Sequence, residues 1–485
     1  MQRAPGDSVL LLGLDIGSTT SAVLIAKARL ERGSQGTVLR CRADDVVYRP
    51  APDFTPMTHD GLDEQALGVL LDRWLSESGI VVDEVFAGGA LVTGLAAQAG
   101  NIDRVERLVT ERLGEQLVAN ASDPTLESWL AFMGSCALLS RATPEAAVIN
   151  LDIGGGTTNP AWGRNGAVQA TGCCAIGARH LQFEPGTYHL RAVSPVGLRL
   201  LDSLGLTKRP GETLTHAEVA QVVNFQVAAL ESLVTVGQIQ AELRWLEDIP
   251  FEPQPAGPRI VTFSGGIGEL IYAHAKGEPW PGTTCFGDLG VDLARAIVDS
   301  PVLSVDIYTH IPEQQGRATV TGLALNSSEI SGASLYLPDA SRLPLRNLPV
   351  IGQLHAAMPD AALAALLTLA RGCQSGVCYQ LAFADNDNPG AEAIRAFGLR
   401  LAAAIQGAGL DPALPLVFLL QVNAGKALGN YISDWGQTAQ RLLVIDEVPV
   451  RDARFVNIGR SRSGVVPVTF YGLNNESENH EVRYG

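Results

Sequence analysis

Short apolar segments alternate with longer stretches of helical spacing along the chain. Val9–Leu14 and Ser21–Ala26 are strand-length segments separated by a polar turn that contains a glycine, which predicts a β-hairpin. Leu62–Trp74 has apolar residues at helical spacing, Val81–Phe86 predicts the next strand, and Glu127–Leu139 predicts another helix. This alternation of strands and helices indicates an α/β fold.

A second strand, turn and strand repeat the first. Leu151–Thr158 aligns with Leu14–Thr20 over its whole length, except that Gly155 and Gly156 take the place of the single residue Ser18. We therefore predict two similar lobes, each with a glycine-containing turn between two strands. Pro160 follows the second turn, and because proline is tolerated at the first residue of a strand but not in its middle, we expect it to mark the start of the return strand.

The later part of the chain continues the alternation and then changes its pattern near residue 300. His216–Glu247 predicts a long helix, Ile260–Phe263 a strand and Asp288–Val298 a further helix. Beyond residue 300 the spacing becomes β-like, as over Thr319–Leu325. The predicted domains are a first lobe over residues 1–145, a second lobe over 146–300 and a C-terminal α+β module over 301–485.

Composition narrows the class of partner. The 485 residues include 35 Lys and Arg against 51 Asp and Glu, for a net charge of −16. Affinity for nucleic acid depends on basic residues that release counterions, so this composition argues against a nucleic-acid partner. No apolar run reaches the roughly 18 residues of a membrane-spanning helix. Seven scattered cysteines indicate reduced cytosolic thiols rather than a disulfide framework.

Each glycine turn has residues suited to binding phosphate. Small residues let the backbone approach a ligand, and successive N–H groups and nearby hydroxyls can point at phosphate oxygens. Asp15 and Asp152 end the preceding strands and can hold Mg²⁺ when phosphates supply its other ligands. A single turn of this kind is also typical of a hairpin without a ligand. Two copies, followed by the strand-borne Ser264–Gly266, favour a nucleotide site whose phosphates are held by amides, hydroxyls and Mg²⁺ rather than by a basic patch.

These segments resemble a known set of nucleotide motifs. Asp15–Thr20, Asp152–Thr158 and Ser264–Glu269 resemble the phosphate-1, phosphate-2 and adenosine motifs of the superfamily of actin, heat-shock chaperones and sugar kinases. The resemblance implies two ribonuclease-H-like lobes with ATP and Mg²⁺ in the cleft between them. It implies metal contacts from Asp15 and Asp152, and nucleotide contacts from Gly17, Ser18, Thr19, Thr20, Gly154, Gly155, Gly156, Thr157, Thr158, Gly265, Gly266 and Glu269.

The same resemblance implies two further roles. In that superfamily the helix before the phosphate-2 motif supplies a polar residue that orients the attacking water. Glu127 is the matching candidate, with Asp123 close by, and an exposed capping role stays open for either residue. Asp288–Val298 would be the second of the helices that connect the lobes.

Segments outside these generic motifs are similar to one family. Leu91–Gly94, Val148–Asn159, Pro344–Ile351, Gly425–Gly429 and Ser463–Val468 resemble the ethanolamine ammonia-lyase reactivating factors. The resemblance implies a molecular chaperone that uses ATP and Mg²⁺ to release damaged cobalamin from the adenosylcobalamin-dependent lyase, so that intact cofactor can enter. ATP hydrolysis would be coupled to this action, and the lyase would be the partner.

Other functions stay open at this stage. A small-molecule kinase of the sugar or acetate type would use the same ATP cleft, but would need an acidic base and substrate-binding residues in the first lobe. A reactivase of a related cobalamin enzyme, such as diol dehydratase, would share the fold and the chemistry. An actin-like filament protein is a third alternative. The resemblance implies a cytoplasmic location and leaves open residence in a bacterial microcompartment and homo-oligomerisation.

Overall fold

A computed structural model describes residues 8–33, 36–40, 45–58, 61–93, 96, 100–113, 119–121, 124–235, 241–251, 257–332, 334–383 and 389–473. The strands in this part of the chain form three main sheets that follow one another in sequence, and two short two-stranded ribbons. None of the described helices is both long enough and apolar enough to cross a membrane.

The first sheet is built from the first 121 residues. Its strands are β1 (Ser8–Ile16), β2 (Thr20–Gly33), β3 (Gly36–Arg40), β4 (Val46–Tyr48), β5 (Asp53–Phe54), β8 (Val85–Val92) and β9 (Ala119–Ala121), with the ribbon β6 (Met57–Thr58) and β7 (Gly61–Leu62) beside it. The order is β3-β2-β1-β8-β9, with β4 and β5 paired to β2. Helices α1 (Glu64–Ser78) and α2 (Ile102–Leu113) cover one face through buried residues such as Trp74 and Val109.

The second sheet repeats the arrangement of the first. Its strands are β10 (Ala147–Ile153), β11 (Thr158–Arg164), β12 (Ala167–Thr171), β13 (Cys173–Cys174), β16 (Glu247–Ile249) and β17 (Arg259–Ser264), and β14 (Leu181–Phe183) pairs with β15 (Leu190–Val193) in a separate ribbon. Helices α5 (Pro195–Ser203), α6 (His216–Thr235), α7 (Gly265–Ala275) and α8 (Gly290–Asp299) enclose its core.

Strand pairing confirms the predicted duplication. β1 pairs antiparallel with β2 and parallel with β8, and β10 pairs antiparallel with β11 and parallel with β17. The two turns close in the same way, since Gly17 N–H donates to the Thr20 carbonyl at 3.0 Å and Gly154 N–H donates to the Thr157 carbonyl at 2.9 Å. The α/β class and the two similar lobes are therefore as predicted.

The third sheet is mixed. Its strands are β18 (Ser328–Ile330), β19 (Leu345–His355), β20 (Val377–Ala382), β21 (Leu416–Leu420), β22 (Leu442–Ile445), β23 (Ala453–Ile458) and β24 (Pro467–Leu473), in the order β18-β24-β23-β19-β20-β21-β22. β19 to β22 are parallel, and α10 (Asp360–Thr368), α11 (Ala391–Ala408) and α12 (Gly425–Ile432) pack on one face of them. The C-terminal part therefore combines strands and helices, as the sequence predicts.

Two helices cross between the first two sheets. α3 (Pro124–Ser135) follows the first sheet in sequence but packs on the second, where its Phe132 contacts Val148 and Ala161. α9 (Ala318–Asn326) follows the second lobe but packs on the first sheet, where its Val320 contacts Leu24. A short helix, α4 (Ala137–Ala142), follows α3, and 3₁₀ turns occupy Val82–Glu84, Ala241–Leu246, Gln315–Arg317, Ala340–Arg342 and Leu369–Gly372.

The crossing requires glycine on both helices. A Cβ atom at Gly134 of α3 would overlap the Ala318 carbonyl oxygen, and one at Gly322 of α9 would overlap the Leu130 carbonyl oxygen. Because these neighbours are backbone atoms, they cannot rotate away as a side chain would. Gly13 of β1 is also covered closely by the Val320 carbonyl of α9.

Several expectations from the sequence are wrong. The predicted strand over Val81–Phe86 begins only at Val85, and the predicted helix over His216–Glu247 ends at Thr235. Three others concern the lobes and the second turn. Thr319–Leu325 is helical within α9, because its packing on α3 and β1 overrides the β-like alternation. Asp288–Val298 largely coincides with α8, which packs in the core of the second lobe and does not connect the lobes. Pro160 is the third residue of β11 and not its first. Proline has no N–H to donate, and this is tolerated because Pro160 faces Gly172, which lies between β12 and β13 where the strand pairing beside β11 is interrupted.

We predict that Gly322→Ala lowers the free energy of unfolding by about 1–3 kcal/mol, because the added methyl group overpacks the helix crossing. Gly407→Ala is the matched control, since it also adds a methyl group to a helix but has no atom within 4 Å of the new Cβ. Thermal unfolding should show a lower melting temperature for the first variant and no decrease for the second. Equal melting temperatures would contradict a tight crossing.

Candidate functional site

A cavity of about 520 Å³ lies between the first two lobes. Its lining includes every site residue predicted from the sequence except Thr158. The predicted residues that line it are Asp15, Gly17, Ser18, Thr19, Thr20, Glu127, Asp152, Gly154, Gly155, Gly156, Thr157, Gly265, Gly266 and Glu269. Thr158 is the first residue of β11, and its hydroxyl donates to the Ile176 carbonyl at 2.8 Å within the core of the second lobe.

The two glycine turns meet across this cavity. A Cβ atom on Gly155 would lie 2.6 Å from Thr19 Oγ1 and 3.3 Å from Ser18 Cβ, so a side chain at that position would push the turns apart. Thr19 Oγ1 is buried and has no hydrogen-bond partner in the structure. A buried hydroxyl without a partner is costly, and a ligand oxygen in the cavity would satisfy it.

The turn after β17 needs a glycine for a different reason. Gly265 has a φ of +75°, a left-handed conformation that glycine adopts without steric cost. Its Cα also approaches the end of β10, where an added Cβ would lie 2.6 Å from the Ile153 carbonyl oxygen. The first turn of α7 is therefore held against the strand that carries Asp152.

Two carboxylates lie at equivalent positions below the turns. Asp152 is 5% exposed, and burial raises its pKa to about 6 against the opposing hydrogen bond from Ser264, whose Oγ donates to Asp152 Oδ1 at 2.5 Å. Burial and then the charge of Asp152 raise the pKa of Asp15 to about 7, against a 3.2 Å hydrogen bond from Thr93 Oγ1. Two desolvated carboxylates that repel each other form a site suited to a cation.

Glu127 lies at the same end of the cavity. It is in the first turn of α3 and is half-buried. The next residue, Ser128, fixes this turn to the second lobe, because its hydroxyl oxygen lies 2.7 Å from the Gly172 carbonyl oxygen. The crossing helix thereby holds the Glu127 carboxylate at the cavity. Asp123, the neighbouring candidate, lies outside the described residues.

A polar loop behind the second turn was missed in the sequence. Ala178 and Arg179 donate their N–H groups to the carbonyls of Gly154 and Gly155 at 3.2 and 2.6 Å. The Arg179 guanidinium lies 3.7 Å from Asp288, which lines the cavity and accepts the Gly290 N–H at 2.9 Å. Burial raises the pKa of Asp288, and this hydrogen bond and Arg179 oppose the shift. In the sequence Asp288 marks only the start of a helix.

The other end of the cavity has an aromatic and apolar wall. The rings of His274, in α7, and Trp280, in the loop after it, stack with centroids 4.2 Å apart. Leu270 and Ala273 of α7 also line the cavity. Nothing in the sequence placed Trp280 here, because it lies in a proline-rich loop after α7.

Among the described residues that line the cavity, Arg317 is the only Lys or Arg. It is half-buried in the 3₁₀ turn that leads into α9. Burial is the larger cause that lowers the pKa of Arg317, and repulsion from Arg49 adds to it, whereas the attraction of Glu269 opposes the shift.

Comparisons with known proteins give one family. The family model described as "Ethanolamine utilisation protein EutA" matches residues 7–474. The ethanolamine ammonia-lyase reactivase EutA of Salmonella typhimurium is 32% identical over 478 residues, which is 96% of this chain and 98% of that protein. Its namesake from Escherichia coli is 31% identical over 475 residues, with the same coverage of both chains. A solved exopolyphosphatase-like protein superposes with a TM-score of 0.41 at 16% identity, over 66% of this chain and 97% of the other. By the extent of the family match and of its two relatives, this chain belongs to the ethanolamine utilisation protein EutA family.

Proposed function

We propose that this chain is an ATP-dependent reactivating factor for ethanolamine ammonia-lyase, which promotes release of damaged cobalamin so that intact cofactor can enter. The observation that carries the proposal is the match over 96% of the chain to relatives that are named as reactivases of this lyase. The cavity between two duplicated glycine turns supports the choice of a nucleotide as the energy source.

ATP would bind with its phosphates between the turns and its base toward the aromatic wall. Backbone N–H groups of the turns and the Thr19 hydroxyl would donate to phosphate oxygens. The planar base would stack near Trp280 and His274, where apolar side chains exclude water. The cavity volume falls within the range of small-molecule sites.

Asp15 and Asp152 would hold Mg²⁺, either directly or through water. Bound Mg²⁺ would supply positive charge that offsets the two buried carboxylates and the phosphates. Glu127, held at the same end of the cavity, would accept a hydrogen bond from the attacking water and orient it. Phosphoryl transfer needs mainly such positioning and charge stabilisation from the protein.

Nucleotide occupancy would act on the relative position of the lobes. The turns that contact the phosphates belong to different lobes, so a terminal phosphate between them would favour the closed arrangement and its loss would release that arrangement. α3 and α9 would carry this change, since each starts beside the cavity and packs on the opposite lobe. In this proposal residues 1–145 and 146–300 are the nucleotide lobes, and residues 301–485 contain the third sheet.

The reactivation itself can be tested directly. Purified protein should restore activity to ethanolamine ammonia-lyase blocked with hydroxocobalamin when ATP, Mg²⁺ and fresh adenosylcobalamin are all present, and omission of any one should prevent recovery. The measurement is the rate of ethanolamine deamination. No recovery, together with phosphorylation of a small substrate, would identify a kinase instead.

Glu127→Gln should lower kcat for ATP hydrolysis by about 10²–10⁴-fold, because the neutral amide is a weaker acceptor than the carboxylate and cannot take a proton from the attacking water. The dissociation constant for ATP should change little, since the side chain contacts the water rather than the nucleotide. Glu278→Gln is the control, because Glu278 lines the opposite end of the same cavity. Equal hydrolysis rates for the two variants would remove Glu127 from the mechanism.

Asp152→Asn should raise the melting temperature in the absence of Mg²⁺ and nucleotide, because it removes a charge that burial disfavours. The same variant should lose the additional stabilisation that Mg²⁺ and ATP give the wild type. Asp446→Asn is the matched control: burial also raises the pKa of Asp446 to about 6, but this residue directly follows β22 of the third sheet and does not line the cavity. A variant of Asp152 that keeps the Mg²⁺-dependent stabilisation would refute the metal assignment.

A further inference from the structure

A buried chain of hydrogen-bonded side chains lies behind Asp152. Ser264 Oγ donates to Asp152 Oδ1 at 2.5 Å, and Asn150 Nδ2 donates to Ser264 Oγ at 2.8 Å. On the far side, Asn150 Oδ1 lies 3.4 Å from Cys136 Sγ and 3.2 Å from Thr262 Oγ1. Ser264, Asn150, Thr262 and Cys136 are all fully buried.

The donors in this chain run toward Asp152. The Asn150 oxygen accepts from the Thr262 hydroxyl at 3.2 Å and lies within reach of the Cys136 thiol, which burial keeps protonated by raising its pKa to about 11. The amide nitrogen of Asn150 can only donate, and it therefore leaves the Ser264 hydroxyl hydrogen no direction except toward the carboxylate. Hydrogen bonds that point the same way strengthen one another.

The described residues of the first lobe form no equivalent chain behind Asp15. The residue two positions before Asp15 is Gly13, where the second lobe has Asn150, and a side chain there would overlap the Val320 carbonyl of α9. The side-chain donor to Asp15 is Thr93, at the longer distance of 3.2 Å. The duplicated carboxylates are therefore supported differently.

We propose that Asn150 is a positioning residue for Asp152: through Ser264 it fixes one carboxylate oxygen in a hydrogen bond and so leaves the other oriented toward the cavity for a divalent cation. Cys136 completes the chain, and because it follows directly after α3, the chain ends at the crossing helix. This inference rests on the proposed Mg²⁺ and ATP site and assigns a role to a residue that does not line it.

The test compares Asn150→Ala with Gln380→Ala, a buried amide of the third sheet. Mn²⁺ serves as the metal probe, with its dissociation constant measured by electron paramagnetic resonance, and isothermal titration gives the affinities for Mg²⁺-ATP and for adenosine. Loss of an outer partner of a metal ligand weakens metal binding by about 10–100-fold, so Asn150→Ala should weaken Mn²⁺ binding at least 10-fold. Adenosine affinity and the Gln380→Ala variant should match the wild type.

A second pair of variants separates hydrogen bonding from packing. Cys136→Ala removes one of the two donors to the Asn150 oxygen and should weaken Mn²⁺ binding measurably, whereas Cys136→Ser keeps a donor at that position and should bind Mn²⁺ like the wild type. Cys378→Ala, which empties a similar buried volume in the third sheet, should have no effect on Mn²⁺. Should Asn150→Ala fail to fold, Ser264→Ala and the Cys136 pair carry the same comparison.

Wild-type Mn²⁺ affinity in folded Asn150→Ala, with equal affinities for the two Cys136 variants, would overturn the positioning role while leaving the nucleotide site intact. A wild-type protein that binds neither Mn²⁺ nor ATP would instead overturn the proposed function, and the positioning role with it. The two failures are therefore distinguishable in one series of titrations.

Discussion

The close crossing of α3 and α9 is the contact on which the arrangement of the lobes depends. Each helix leaves one lobe and covers the sheet of the other, so the two sheets cannot separate without disturbing this contact. Backbone approaches at Gly134 and Gly322 bring the helix axes nearer than larger residues would allow. The same helices begin at the cavity, with Glu127 in the first turn of α3 and Arg317 just before α9. Packing and site geometry are therefore set by one contact.

The cavity concentrates features that reduce stability. Two carboxylates are buried within electrostatic reach of each other, and the buried Thr19 hydroxyl has no hydrogen-bond partner in the structure. A fold optimised for stability alone would replace these features. Their occurrence together, at equivalent turns of a duplicated unit, is the pattern expected where bound ligand groups compensate the cost.

Local patterns predicted part of this structure and could not predict the rest. The two similar lobes and their cavity could be predicted from the duplicated turns, because the same short segment determines both the hairpin and the glycines that line the cavity. Thr319–Leu325 was predicted as β-like because its alternation of small and β-branched residues fits a strand. Close packing of this segment against Leu130 and Gly134 of α3 instead favours a helix. Trp280 and Arg317 reach the cavity from loops whose course depends on the assembled lobes. A buried polar residue such as Asn150 has no signature in a strand sequence until its neighbours are known.

The third sheet follows α9 directly along the chain. A single residue, Ser327, separates the end of α9 from β18, and β18 is the edge strand of that sheet through its pairing with β24. Ile330 of β18 and Val465 also share a core with Phe86 of the first sheet. A shift of α9 relative to α3 would thus reach the third sheet through a link of one residue. In the proposed reactivation, opening and closing of the cavity would then also reposition residues far from the nucleotide.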